Sequence, residues 1–215
     1  MTYLNLINAV LRRLREDQVT TVDESDYSKL IGDFVNDALQ SVESAWDWTV
    51  LRNTYSITTV AGTSTYTLTG FGTGSKILYV HDETNNRYVH QESLQRIREF
   101  ALGTDNAQGT VSYYAIEGVD SNGDAQIRFY QTPSAVQNLS VYAVKRDASL
   151  SLDSDSTLLP TKPVIQFAFA YALRERGETG GQSAAEQLIF AQEDLRNAIA
   201  LDANLHPEEL IWNVV

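Results

Sequence analysis

The 215-residue sequence contains no cysteine. Disulfides, thiolate zinc sites, iron–sulfur clusters and cysteine nucleophiles are therefore excluded. The three histidines, His81, His90 and His206, are too few and too scattered to indicate a dedicated metal centre. No stretch reaches the roughly 18 consecutive apolar residues of a membrane span, and the first residues carry no signal-peptide pattern. The sequence therefore predicts a soluble protein made in a cytoplasm.

Basic residues are also few relative to acidic ones. Lys and Arg total 16 against 28 Asp and Glu, which gives a formal net charge of −12 at pH 7. This balance argues against a surface built to bind nucleic acid, because phosphate binding requires a basic field. Nine of the acids lie between Glu16 and Asp47, where Lys29 is the only base. This segment is either a solvated helix face or a face that lies opposite another molecule and must not bind it.

Hydrophobic residues make up 43% of the chain, which is enough to bury a core. At both ends of the chain they recur at helical spacing. The pattern predicts helices at about 2–15 and 26–45 and, after two prolines, two more that end near residues 176 and 203. The first two helices each show one apolar stripe, formed by Leu4, Ile7, Leu11 and Leu14 and by Ile31, Phe34, Ala38 and Val42.

Between these helices the hydrophobic period falls to two, which is typical of strands. Residues 55–60 and 64–68 flank a turn at 61–63 and predict a hairpin. Further strands are predicted at 76–80, 87–90, 110–117, 125–131 and 139–145, with a short helix near Leu94 and Ile97. Tight turns between short strands favour antiparallel pairing in a sandwich or a small barrel.

The order of these elements predicts an α+β fold. Neither terminal helix pair can cover its own apolar stripe, so the two pairs are expected to pack as an antiparallel four-helix bundle. Residues 1–52 with 156–203 would form this discontinuous bundle, and residues 53–155 an inserted antiparallel β domain with one short helix. Residues 204–215 would form a C-terminal arm, because Pro207 discourages continuation of the last helix.

Two loops look like ligand-binding motifs but lack their spacing. Residues 70–76 (GFGTGSK) are glycine-rich like a phosphate-binding loop, but the Gly-Lys spacing is wrong and a strand follows. Residues 120–124 (DSNGD) place oxygen-bearing side chains at alternate positions, as a calcium loop does. However, Ala125 and Gln131 stand where an EF-hand needs Gly and Glu. Asn122 and Gly123 between two strands indicate a hairpin turn.

The sequence offers no anchor for catalysis. No Gly-x-Ser-x-Gly motif occurs, and no carboxylate pair has a reason to adopt the spacing found in glycosidases. Asp153 and Asp155 fall in a polar stretch typical of a solvated turn. Trp46 and Trp48 fit a plug at a helix–sheet junction, with a sugar-stacking platform as the alternative. We therefore predict no enzyme activity, no catalytic residue, no cofactor and no metal.

Three segments carry a family resemblance. They are the first helix at 3–15 (YLNLINAVLRRLR), the second helix at 31–38 (IGDFVNDA) with its 46–48 end (WDW), and the hairpin at 58–68 (TTVAGTSTYTL). Together they resemble the head-to-tail adaptor proteins of tailed phages, in particular the tail tubular protein A type of short-tailed phages. The similarity is detailed over the first third of the chain and covers the rest as helix–strand–helix order.

The resemblance implies a structural virion protein of the tail or neck. Such adaptors form a ring, usually twelve-fold, that joins the portal protein to the tail nozzle protein, and a tail fibre docks nearby. DNA passes through the lumen without specific binding, and a net charge of −12 suits a lumen that repels DNA. No membrane is involved. The alternative function is a carbohydrate-binding or adhesion module of a phage tail, carried by the β domain and recognisable by exposed aromatics on one sheet face.

The candidate partner-binding residues lie in two places. Arg12 and Arg15 belong to the densest basic cluster, which is either ordinary helix surface or a contact with an acidic partner ring. Leu210, Ile211 and Trp212 begin a stretch in which five of six residues are apolar. A buried Trp is a common interface hot spot. This stretch either folds back on its own helices or reaches the portal or a neighbouring subunit.

Overall fold

The computed structural model describes residues 1–102, 108–146, 149–177 and 182–205. They fall into two compact units. Met1–Val50 with Ala148–Val215 form the first, called the helical unit, and Leu51–Asp147 form the second, called the β unit.

The described residues form five α-helices, and local sequence determines where several of them begin and end. They are α1 (Tyr3–Arg13), α2 (Asp26–Ser44), α3 (Leu94–Leu102), α4 (Thr161–Arg176) and α5 (Gln182–Ala203), of which only α3 belongs to the β unit. Ser25 and Ser28 form a reciprocal capping box at the start of α2, each hydroxyl accepting the other residue's N–H at 3.0 Å. Gly177 ends α4 in the left-handed conformation, with φ of 64°.

The predicted four-helix bundle of the chain ends is wrong. Helices α1, α2 and α4 pack against one another pairwise, whereas the extensive packing of α5 among the described residues is against α4. The reason lies in the side chains of α5. Its most buried apolar residues are the small Ala184 and Ala191, while the larger Ile189 and Phe190 are 58% and 57% exposed. A helix that buries mainly alanines lies on the outside of a helical cluster and does not enter its core.

Close packing between α1 and α2 organises the core of the helical unit. Tyr3 lies over Gly32, where a Cβ atom would overlap the Tyr3 hydroxyl. Asn36 donates through Nδ2 to Tyr3 Oη at 3.2 Å and to the Leu150 carbonyl at 3.1 Å. The Leu150 N–H in turn donates to Asn36 Oδ1 at 3.0 Å. The returning chain is thereby bound to the first two helices.

The described part of the β unit contains nine strands, seven of which form one sheet. The strands are β1 (Arg52–Thr58), β2 (Thr65–Thr67), β3 (Lys76–Asp82), β4 (Arg87–Gln91), β5 (Gln108–Gly109), β6 (Tyr113–Val119), β7 (Ala125–Tyr130), β8 (Thr132–Pro133) and β9 (Asn138–Val144). The order across the large sheet is β1-β9-β3-β4-β6-β7-β2, and β5 pairs with β8 separately.

Of the two predicted arrangements, a sandwich or a small barrel, the sheet is closer to the barrel, and it is not purely antiparallel. It is one nearly barrel-shaped sheet, mostly antiparallel, in which β4 and β6 are parallel neighbours. The predicted hairpin of 55–60 with 64–68 is also wrong, because β1 pairs with β9 and β2 pairs with β7. Alternating apolar residues predict a strand but not the strand it pairs with. Here both strands pair with segments far away in the sequence. The turn between β1 and β2 is instead held by Tyr66, whose hydroxyl accepts from Val60 N at 2.8 Å.

The core of the β unit lies on one face of the curved sheet. Burial alternates along β7 and most of β9, as expected for strands with one covered face. The fully buried side chains include Val80, Val111, Ile127, Val141 and Ala143. At the two ends of the unit, Arg52 pairs with Val144, so the chain enters and leaves this sheet on neighbouring strands.

Candidate interaction surfaces

The described residues hold no compact group of chemically active side chains. Within 1–102, 108–146, 149–177 and 182–205, no cluster of three or more His, Asp or Glu side chains is placed to hold a metal ion. His81 Nδ1 lies 3.2 Å from Glu83 Oε1, while His90 lies beside the ring of Tyr113. The third histidine, at position 206, lies outside the described residues. The candidate functional sites are therefore surface features of the two units.

The glycine-rich loop at 70–76 binds an anion, but this anion is a side chain of the same unit. Gly70 N donates to Asp124 Oδ2 at 2.8 Å, and Gly72 N donates to Asp124 Oδ1 at 2.9 Å. These amides, with that of Gly72 contributing most, hold the pKa of Asp124 below its usual range. Two amides of the loop are thus engaged by a carboxylate of the same unit.

The acidic turn at 120–124 is a hairpin turn, as predicted. Asp120 Oδ1 accepts from Asn122 N at 2.8 Å and from Asp124 N at 2.9 Å. Gly123 adopts a φ of 82°, which suits glycine. The oxygens that resembled a calcium loop are therefore used to shape the turn between β6 and β7.

The polar stretch at 153–155 is a turn with Ser154 exposed, as predicted, but its two aspartates also make long-range contacts. Asp153 Oδ1 accepts from Val22 N at 2.8 Å, 131 residues away in sequence. Asp155 Oδ2 accepts from Leu152 N at 2.7 Å, and its backbone carbonyl accepts from Tyr3 N at 2.7 Å. Amides of Leu152 and Ser151 lower the pKa of Asp155. Because Val22 and Tyr3 are remote in sequence, no local pattern could reveal that this turn is bound to the start of the chain.

The two tryptophans after α2 have different roles. Trp48 is buried, 1% exposed, and donates from Nε1 to the Val42 carbonyl at 2.8 Å. Trp46 is 38% exposed and donates to Asp202 Oδ2 at 3.0 Å. The same carboxylate oxygen accepts from the Thr49 N–H and hydroxyl, both at 3.1 Å. Asp202 thereby ties the last turn of α5 to the end of α2, a role that its position among helical residues did not suggest.

An apolar groove of about 290 Å³ lies beside this carboxylate. We call it the α5 groove, and it is lined by Trp48, Val50, Leu158, Pro160, Ala198, Leu201, Asp202 and Leu205. Its three leucines, Leu158, Leu201 and Leu205, are 70%, 71% and 65% exposed. Contiguous exposed apolar side chains of this kind mark interaction sites. Sequence inspection missed the groove because its walls come from three separated stretches of chain.

A second surface is the acidic face of α2. Its polar positions are all exposed: Asp26, Asp33, Asp37, Gln40 and Ser44. Both interpretations of this acidic segment require such an exposed stripe. Its Lys29 lies 3.8 Å from Asp26, at the first turn of the helix. Lys29 also stands four residues before Asp33, whereas Asp37 has no base three or four residues away on this helix.

The predicted arginines are exposed at the end of α1. Arg12 lies in the last turn of α1, and Arg15 follows with a φ of 60° at the point where the helix ends. The more strongly engaged base is Arg176, which sequence inspection missed: it donates to Glu16 Oε1 at 2.7 Å and to Tyr27 Oη at 2.8 Å. Leu210, Ile211 and Trp212 lie outside the described residues, so the structure does not place them beside the arginines.

A third surface is an aromatic ladder on the β unit, formed by Tyr79, His81, Tyr88 and Tyr142. Tyr79 stacks on Tyr142 with ring centroids 4.5 Å apart, and Tyr88 meets Tyr79 edge to face at 5.9 Å. His81 lies 5.4 Å from Tyr88. Tyr88 is 63% exposed. These are cross-strand pairs, and they leave each stacked tyrosine with only one ring face for a ligand.

These surfaces define a class of protein that works through contacts with other macromolecules. The family model described as SU10 adaptor protein matches residues 1–206, so the chain belongs to that family. The resemblance to phage head-to-tail adaptors is thereby confirmed: the protein is a structural protein of a bacteriophage and a component of the virion. The family is not an enzyme class, and membership implies interaction with portal and tail components.

A search of curated proteins finds no match. Among the helices of the described residues, none combines the length and the apolar character needed to cross a membrane.

Proposed function

We propose that this adaptor assembles into a ring, twelve-fold as in the proteins that it resembles, which joins the portal protein to the tail nozzle protein. DNA passes through the lumen without specific binding, and a tail fibre docks nearby. The observation that carries the proposal is the family match over residues 1–206. In this scheme the discontinuous helical domain and the arm at 204–215 contact the portal, and the inserted β domain contacts the nozzle.

The charge distribution supports a lumen formed in part by α2. The exposed stripe of this helix carries Asp26, Asp33 and Asp37. The whole chain has a formal charge of −12. A ring multiplies this field by its number of subunits, and a negative wall repels phosphates at close range. DNA would then move past the wall without adhering to it.

The distribution of apolar surface supports assembly. The α5 groove exposes leucines at its rim, and Ile189 and Phe190 are exposed farther along the same helix. Covering such side chains with another apolar surface lowers the free energy. Arg12 and Arg15 add a basic edge for an acidic partner, and Leu210, Ile211 and Trp212 are the proposed anchors of the arm.

Co-expression with the portal protein tests the proposal. Negative-stain imaging of the purified complex should show the adaptor as a second ring stacked on the portal ring. A variant lacking residues 206–215 serves as the matched control, since it should remain folded but lose portal docking. Adaptor that stays monomeric in the presence of portal rings would contradict the proposal.

The carbohydrate-binding alternative has narrower support. Its one favourable observation is the exposed aromatic ladder, with Tyr88 as its most accessible ring. Against it, Tyr79 and Tyr142 are stacked on each other, which occupies ring faces that sugars use. Binding of the isolated protein to host glycans, lost in a Tyr88→Ala variant, would favour this alternative over the adaptor ring.

A further inference from the structure

The α5 groove has an apolar lining but lacks an apolar cover in the described part of the chain. Leu158 and Leu201 are more than two-thirds exposed although they form its walls. Its volume of about 290 Å³ lies at the lower limit of small-molecule pockets, which span roughly 300–1,000 Å³. A cavity of this size suits one or two bulky side chains better than a cofactor.

The chain itself supplies such side chains at the rim of the groove. Leu205 is both a lining residue and the last described residue before the segment 206–215. Within that segment Leu210, Ile211 and Trp212 are consecutive and apolar. We propose that the α5 groove binds the segment 208–215 of its own chain in the free subunit, with Trp212 as the anchor.

The tether favours this intramolecular contact. Residues 206–209 separate the groove lining from Leu210, and an extended chain spans at most about 3.6 Å per residue. Leu210 is therefore confined to within roughly 18 Å of Leu205. Short tethers give effective concentrations in the millimolar range, above the concentration of a competing second copy in dilute solution. Pro207 fixes its own φ and suits a turn that reverses the chain direction.

Cysteine cross-linking in the full-length chain tests the contact, because the parent has no cysteine. The test variant carries Leu158→Cys at the groove rim and Asn213→Cys beside the anchor. The matched control carries Ile189→Cys with Asn213→Cys. Ile189 is similarly exposed, but it lies twelve positions before Leu201, about 18 Å away along α5.

An undocked segment reaches both thiols, since eight residues beyond Leu205 span up to about 29 Å. A docked segment should instead form the Leu158→Cys disulfide at least ten-fold faster than the Ile189→Cys disulfide, at monomeric mass. Adding Trp212→Ser should abolish this difference. Circular dichroism of each variant checks that it is folded. Equal rates for the two pairs would overturn the proposal.

Mixing the single variants Leu158→Cys and Asn213→Cys separates the two sources of the segment. Covalent dimers formed as fast as the intramolecular disulfide would show that a neighbouring copy supplies it, and would overturn the proposal. The assay needs no portal protein. Its failure would therefore leave the adaptor proposal intact, and failure of portal docking would leave this contact intact.

Discussion

At the scale of single residues, close contacts and buried hydrogen bonds determine which positions tolerate change. Gly32 is such a position because the ring of Tyr3 lies directly over it. The Tyr3 hydroxyl also accepts a hydrogen bond from Asn36 Nδ2. A side chain on α2 at this point must displace α1 or push the ring out of its site.

We therefore expect Gly32→Ala to destabilise the protein by about 1–3 kcal/mol, the usual range for overpacking. Urea denaturation of the parent and the variant measures this loss. The control is the same change in a Tyr3→Phe background, where the overlapping oxygen is absent. The two substitutions should be less than additive. Full additivity would show that the contact with the Tyr3 hydroxyl is not the cause.

Asp124 gives a second prediction at this scale, concerning pH. Amide hydrogen bonds from Gly72 and Gly70 lower its pKa in the folded state from an ordinary value of 3.8. A carboxyl whose pKa is lower when folded stabilises the fold above its unfolded pKa, and this contribution disappears as pH falls through the folded pKa. Asp124→Asn should thus be less stable than the parent at pH 7, and the difference should shrink below about pH 4.

Urea denaturation of both proteins at pH 7, 5 and 3 measures this change. Asp120→Asn, in the same turn, is a useful control because it also loses a carboxylate acceptor but does not touch the glycine-rich loop. A parent–variant difference for Asp124→Asn that stays constant from pH 7 to pH 3 would contradict the assignment.

At the scale of elements, polar contacts join α5 to both α4 and the end of α2. It buries mainly small residues against α4, and Asp202 provides its tie to the end of α2. Near its middle, Asp194 pairs with Lys162 of α4 at 2.6 Å. The two acids are similarly buried, at 9% exposure for Asp202 and 11% for the Asp194 side chain, but they differ in their partners, because the side chain of Lys162, which pairs with Asp194, is 71% exposed.

Asp202→Ala should therefore cost about 2 kcal/mol, because it removes the carboxylate acceptor that Trp46 and Thr49 share. Asp194→Ala should cost less than about 1 kcal/mol, since its lysine partner can return to water. Amide hydrogen exchange checks the location of the effect. Faster exchange should appear near 198–203 in Asp202→Ala, with α1 unchanged. Equal losses in the two variants would contradict this assignment.

Sequence patterns predicted individual elements better than their partners. The helical period placed α1 and α2 within about two residues, because capping and periodicity are local. The hairpin prediction failed since β1 and β2 alternate like hairpin strands but pair with β9 and β7. The bundle prediction failed because α5 exposes Ile189 and Phe190. The α5 groove was inaccessible to sequence reasoning, as residues 48–50, 158–160 and 198–205 meet only in the folded unit.

At the scale of the whole molecule, folding and assembly should depend on different parts of the chain. The buried cores of the described residues draw on the helices and strands of both units, and the family match covers residues 1–206. Removing residues 206–215 should leave the two units folded, with a melting temperature changed by only a few degrees, while portal docking is lost. Thermal unfolding and co-purification with the portal protein measure the two effects. An unfolded truncated chain, or one that still docks, would contradict this division.

The pairing of Arg52 with Val144 affects how the β unit could be inserted into, or removed from, a helical protein. Antiparallel neighbours lie only about 5 Å apart, so the whole excursion from 52 to 144 begins and ends at nearly one point. A short Gly-Ser linker could bridge that gap at a small entropic cost. In related chains, another module could therefore replace residues 52–144 without changing how the helices of the helical unit pack together.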